Sequence, residues 1–343
     1  MSERFCCAEC FGDAQLRANI EKEFSPATGV CDYCGSSVET LIHPSVLCEA
    51  FEALIGIYEV SDDGLSLPAI LRRDWGLFTH PVLQDDAHAK ELIGDILDDG
   101  ELPRKLFTPP TAYQAESLAQ WDDLRAEMMH GNRWFLAERI DYERLRELLS
   151  YLITDPSELS DKWHRARIMS DDEPYPIEEM GAPPPRYAAH GRANPAGIPY
   201  LYLGSDPDTA VSEIRPHTGD AACVAEFTIP SMRAVDLRAP RARVSPFGLN
   251  DDEVRQMHAD LPFLERLGEE LTRPVLPHGA PFEYVPSQHL CEFIKHCGFD
   301  GVIYRSSVSA GVNVALFRPE VATGGQVHRH LVERVEVHIG PRL

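Results

Sequence analysis

The chain has 343 residues, 43% hydrophobic and 25% charged, which is enough to bury a substantial core and to form two domains or more. Its 55 acidic and 32 basic residues give a net charge of −23. That makes it a poor general nucleic-acid binder, because phosphate contacts dominate that affinity, yet leaves room for a small anion in a locally basic pocket or for a basic partner protein. No apolar run approaches membrane-spanning length and the first residues carry no signal peptide, so a cytoplasmic protein is expected.

Cys7-Ala-Glu-Cys10 and Cys31-Asp-Tyr-Cys34 form two C-x2-C pairs twenty residues apart. Two such knuckles bring four thiolates within tetrahedral reach of one Zn2+, and Gly35 suits the tight turn of the second. With Cys7, Cys10, Cys31 and Cys34 all engaged, no position remains for a reactive water, so the expected zinc is structural. Cys6 competes with Cys7 as a ligand. Cys48, Cys223, Cys291 and Cys297 have apolar neighbours and read as small core residues.

Residues 46–60 place Leu47, Phe51, Leu54, Ile55 and Tyr58 on one helical stripe, and helical periodicity returns over 87–97, 113–130 and 141–153. Arg125 and His130 stand in an R-x4-H spacing, followed by Asn132 and Arg133.

Trp163-His164-Arg165-Ala166-Arg167 reads as a strand. Residues 171–186, with five prolines and the acidic pairs Asp171-Asp172 and Glu178-Glu179, read as an ordered irregular loop. It is either a surface excursion or a lid. The run HGRANPAGIPYLYLGSDPDTAVSEIRP, residues 190–216, then combines a Gly-Arg-x-Asn turn, an apolar strand over 198–203 and a short helix. Ser205 or Asp206 caps that helix, Pro207 opens it and Pro216 ends it. Ala210, Val211 and Ile214 form its buried face, with the Glu213 carboxylate at the edge, partly desolvated and oriented.

Residues 251–273 read as one or two helices broken at Pro262. A helix opens at Pro286-Ser287-Gln288, with Ser287 as its cap, and Gly298 ends it. Residues 298–317 read as two strands, and the alternation of Val332, Val335, Val337 and Ile339 reads as a final strand.

The segments at 163–167, 190–216, 286–297 and 298–317, in that order, resemble the RES domain, over roughly 160–319. The resemblance implies an α+β fold with an ADP-ribosyltransferase-like mixed β-sheet, preceded by the zinc knuckle and an α-helical domain. It also implies that NAD+ is the substrate and that the three residues naming the family are Arg165 (or Arg167), Glu213 and Ser306 (or Ser307). Glu213 would stabilise positive charge on the ribose carbon and Arg165 would grip the diphosphate, with Arg192 a second candidate. Tyr202 would stack on nicotinamide or donate to it, Ser306 would hold its amide or a ribose hydroxyl, and Asn194 and Asn313 would support by hydrogen bonding.

The expected organisation is a zinc knuckle at 1–45, a helical domain at 46–154 and a RES domain at 155–343. The first 154 residues resemble the zinc-bearing, HEPN-like domain found fused to RES domains, in which an Arg and a His can form an RNase site. The resemblance implies a toxin or defence effector that breaks the nicotinamide–ribose bond, most simply as an NAD+ phosphorylase using inorganic phosphate. Transfer to protein or to water are the alternatives. A reading of another class is a catalytically silent NAD or ADP-ribose sensor with a HEPN RNase or interaction module. A toxin must be restrained, which implies an antitoxin or immunity protein over the pocket or an autoinhibitory contact. The sequence is compatible with an oligomer.

Overall fold

The structure is a computed structural model that describes residues 3–24, 26–109, 116–137, 140–154, 158–276 and 278–336, the side chains of 116–119 excepted. Residues 113–115 and 337–339, included above in a helix and a strand, lie outside the described residues. The chain forms two compact units: Met1–Leu118 with Arg241–Phe263, and Ala119–Pro240 with Leu264–Leu343.

In the first unit, Asp13 caps α1 (Ala14–Glu23) by accepting the Leu16 N–H at 2.7 Å. Strands β1 (Gly29–Val30) and β2 (Ser37–Val38) pair antiparallel around the second C-x2-C turn. Helix α2 covers only Cys48–Ile55, after a 3-10 turn at Pro44–Leu47. The helix expected over 46–60 is therefore shorter: Gly56 stands at its C-cap and the chain then extends as β3 (Glu59–Ser66). Leu47, Phe51, Leu54, Ile55 and Tyr58 are nevertheless all buried. Ser66 caps α3 (Leu67–Trp75), which sequence periodicity did not reveal, and α4 (Asp86–Leu97) and β4 (Leu106–Thr108) complete this part. Strand β4 pairs antiparallel with β3. Phe51 packs against Phe11, Phe78 and Phe247, with ring centroids 5.5–6.5 Å apart.

The second unit takes in α5 (Glu116–His130) from Ala119 onward and α6 (Tyr142–Ser150), and continues through β5 (Lys162–Ile168), β6 (Leu201–Gly204), α7 (Pro207–Glu213), β7 (Ala221–Thr228) and β8 (Ala234–Asp236). Helix α8 (Asp251–Thr272), α9 (Ala280–Glu283), α10 (Val285–His296), β9 (Gly301–Arg305), β10 (Val312–Leu316) and β11 (Thr323–Leu331) follow. Only residues 264–272 of α8 belong to this unit. Pro262 does not break α8: the helix continues through it, with Leu261, Leu264, Leu267 and Leu271 fully buried. Tertiary packing outweighs the missing N–H. Ser287 does not cap α10 either; it sits inside the first turn, where its hydroxyl donates to the Arg192 carbonyl at 2.6 Å and also lies 3.0 Å from the Tyr284 carbonyl. Among the described residues the last strand is β11, and residues 332–336 beyond it are not part of a sheet.

Seven strands form one mixed sheet in the order β11-β7-β5-β6-β10-β9-β8, antiparallel except for the β8–β9 pair. Side chains alternate across it. Trp163, Leu203, Ala225, Phe227, Val314 and Leu316 share one buried cluster with Met180. Ala166 and Val224 pack with Ala210 of α7 in another. The loop 171–186 is anchored to the first cluster through Met180 and Ile177. Among the described residues, no helix is long and apolar enough to cross a membrane.

Candidate active site

Strand β5 is paired with β7 along its whole length and β6 with β10, but β5 and β6 share a single paired position, His164 opposite Gly204. A cavity of about 420 Å³ opens beside that position, lined by His164, Arg165, Tyr202, Glu213, Arg215, Tyr304 and Asn313 among others. Gly204 lets α7 approach, since a Cβ there would stand 2.8 Å from the Ala210 nitrogen. Asp206 caps α7 by accepting the Thr209 N–H at 2.7 Å, with Pro207 in the first turn.

Glu213 is the last residue of α7. Its Oε1 accepts the Ser306 hydroxyl at 2.7 Å and the Asn313 amide at 2.5 Å. Ser306 Oγ itself accepts the N–H groups of Val308 and Ser309, each at 3.1 Å, so its proton is left for the carboxylate. Asn313 is buried and Glu213 is exposed. Hydrogen bonds orient the carboxylate, rather than the partial burial expected of it, because the helix ends at Glu213 and its side chain leaves the buried stripe.

Arg165 lines the same cavity. Its Nη1 donates to the Tyr202 carbonyl at 3.4 Å, and its enclosed Nε has no partner among the described residues. Burial, with repulsion from Arg167, lowers its pKa to about 10, so it remains a cation at neutral pH. Arg167 is occupied elsewhere: it donates to the Glu179 carbonyl at 2.6 Å and stacks 4.3 Å over Tyr175. Among the lining residues, Glu213 is the one carboxylate, against Arg165, Arg192 and Arg215. The cavity is thus locally basic in a strongly acidic protein.

Residues 162–336, just over half of the chain, match the family described as the RES domain. The chain belongs to the RES domain family. It is also similar to a solved chain in the crystal structure of the M. tuberculosis MbcT–MbcA toxin–antitoxin complex, at 15% identity and a TM-score of 0.35, covering 55% of this chain and 93% of that one. No curated protein matches it.

Within the RES domain, Asn194 and Tyr202 act on each other. The Tyr202 hydroxyl donates to Asn194 Oδ1 at 2.7 Å and accepts the Ala193 N–H at 2.9 Å, and burial pushes its pKa up. Asn194 Nδ2 meets the carbonyls of Ala189, Pro195 and Ile198 at 2.9–3.0 Å. This pair ties the 189–198 turn shut, and Gly191 is required because a Cβ would stand 2.5 Å from Asn194 Oδ1. Arg192 lines the cavity but donates to the Arg273 carbonyl at 2.7 Å and lies 5.3 Å over the Tyr284 ring. Ser307 also lines it. Tyr304 and Tyr284, not anticipated from the sequence, contribute aromatic walls. For Tyr304 a signal existed: it lies near the end of β9, two residues before Ser306. No residue of the 171–186 loop lines the cavity.

Arg125 is held by the buried Glu270 carboxylate at 2.9 Å, and the His130 ring lies 5.7 Å from Phe282.

In the first unit, the Sγ atoms of Cys7, Cys10, Cys31 and Cys34 all lie within 4.8 Å of one another and all four residues are buried. The pairs Cys7–Cys34 and Cys10–Cys31 are 3.6 and 3.4 Å apart. Tetrahedral zinc with Zn–S near 2.3 Å needs sulfurs about 3.8 Å apart, so the donor set fits. Gly35, at φ +77°, donates to the Cys31 carbonyl at 3.0 Å and closes the knuckle. Cys6 instead forms a backbone bridge with Ile42.

Proposed function

We propose that this RES-domain protein cleaves NAD+ at the nicotinamide–ribose bond with inorganic phosphate as acceptor, acting as a cytoplasmic toxin restrained by an antitoxin protein. The observation that carries the reading is the Glu213 carboxylate, fixed by Ser306 and Asn313 at a cavity whose other charged side chains are arginines.

In this reading the C1–N bond breaks and its electron pair returns to the pyridinium nitrogen, releasing neutral nicotinamide. Positive charge builds on the ribose carbon, and Glu213 stabilises it without having to reorient. A phosphate oxygen then bonds to that carbon, giving ADP-ribose 1-phosphate. Arg165, whose Nε has no partner among the described residues, is suited to the diphosphate. The walls formed by Tyr202 and Tyr304 are suited to the nicotinamide ring. The Asn194–Tyr202 hydrogen bond holds the turn that carries Arg192. The four-cysteine cluster would hold a structural zinc that fixes the N-terminal fold and takes no part in the chemistry.

Mass spectrometry of NAD+ incubated with the protein, with and without inorganic phosphate, tests this reading. A phosphorylated ADP-ribose that appears only with phosphate is expected. Free ADP-ribose or an ADP-ribosylated protein would replace phosphate by water or protein as acceptor, and intact NAD+ throughout would overturn the reading.

A further inference from the structure

A second, larger cavity of about 1240 Å³ lies beside the first, between α7, the 306–310 turn and residues 330–336. The two share Arg215 and Ser307 in their linings. Arg215 is two residues beyond Glu213 and exposed, and among the described residues its guanidinium has neither a hydrogen bond nor an ion pair. Its backbone is left-handed, at φ +50°, just past the end of α7, where glycine is the favoured residue. A bulky cation thus stands where the backbone disfavours it, and among the described residues nothing pairs with its charge. The competing candidate, Arg192, already donates to the Arg273 carbonyl and is stacked on Tyr284.

We infer that Arg215 is the residue that holds the acceptor as an inorganic phosphate anion, with the Ser307 hydroxyl beside it, and that phosphate reaches the ribose from the larger cavity while NAD+ occupies the smaller one. This rests on the NAD+-cleaving reading above and assigns the residue that holds its acceptor. The larger cavity is mixed in charge: Arg334 and Glu336 pair with each other, and Asp208 and Glu333 also line it. The anion is therefore held at the junction, where Arg215 stands, and not along the open floor.

The test uses the full chain and inorganic phosphate as the probe, with affinity read by calorimetry, alongside Arg215→Gly and Arg215→Lys. Glycine suits the left-handed backbone, so Arg215→Gly should melt no lower than wild type while its phosphate affinity falls about tenfold or more, the loss of a charge-assisted hydrogen bond. Arg215→Lys should recover part of that loss. In turnover, the phosphate KM should rise more than kcat falls. Equal phosphate affinity in wild type and Arg215→Gly would overturn the inference, as would a wild type that binds no phosphate. NAD+ cleavage by the wild type, measured separately as nicotinamide release, shows whether the underlying reading stands when the acceptor assignment fails.

Discussion

Ser306 donates its hydroxyl to Glu213 Oε1 across 2.7 Å, although the two residues are 93 positions apart in the chain. Two backbone N–H groups occupy the serine oxygen from the other side, so the bond has a fixed direction. Ser306→Ala should therefore lower NAD+ turnover by about 10- to 100-fold, the scale of losing one preorganised polar contact. Ser307→Ala should spare the carboxylate's orientation and change nicotinamide release less. Steady-state nicotinamide release from both variants checks this, and equal losses would refute the distinction.

Tyr202→Phe should destabilise the fold by about 1–3 kcal/mol, because it leaves Asn194 Oδ1 buried without its donor. Denaturant unfolding measures this directly. A variant as stable as wild type would show that the hydroxyl does not close the 189–198 turn.

Acid should weaken the first unit through Asp74. Burial raises this carboxyl's pKa, but hydrogen bonds from His258 and Arg73 outweigh it and hold it at about 2, against 3.8 ordinarily. A depressed folded pKa contributes stability above the unfolded value and loses it as pH falls through the folded one. About 2 kcal/mol should therefore disappear between roughly pH 4 and pH 2. Unfolding curves of wild type and Asp74→Asn across that window should converge as pH falls; a constant gap would contradict the assignment.

The cysteine cluster should carry one zinc per chain, read by elemental analysis. Cys10→Ser should lose the metal and unfold the N-terminal segment, since binding energy at such a site is folding energy. A metal-free wild type of unchanged circular dichroism would remove zinc from the account.

Much of the site was legible in the sequence because its parts are local. The Asp206 cap, Pro207 and the Glu213 helix sit in consecutive residues, and the two cysteine pairs have a spacing that few other arrangements produce. What escaped depends on distance. The hydrogen bond by which Tyr202 and Asn194 satisfy each other across eight positions and close a turn has no signature in the spacing. Strand β7 escaped notice, and β11 is almost wholly exposed, so its sequence lacks the alternation that marks a half-buried strand. Pro262 misled because buried leucines flank it and hold the helix through it. That Arg215 has no partner among the described residues while Arg167 and Arg192 are engaged is a property of packing, which no spacing rule reveals.

Nicotinamide release from NAD+ by wild type and Glu213→Gln isolates the charge on this carboxylate. Glutamine keeps an oxygen for Ser306 and Asn313 to donate to but removes the negative charge. An unchanged melting temperature and a turnover reduced by at least about 100- to 1000-fold are expected. Turnover near the wild-type rate would contradict this and take catalysis away from the carboxylate.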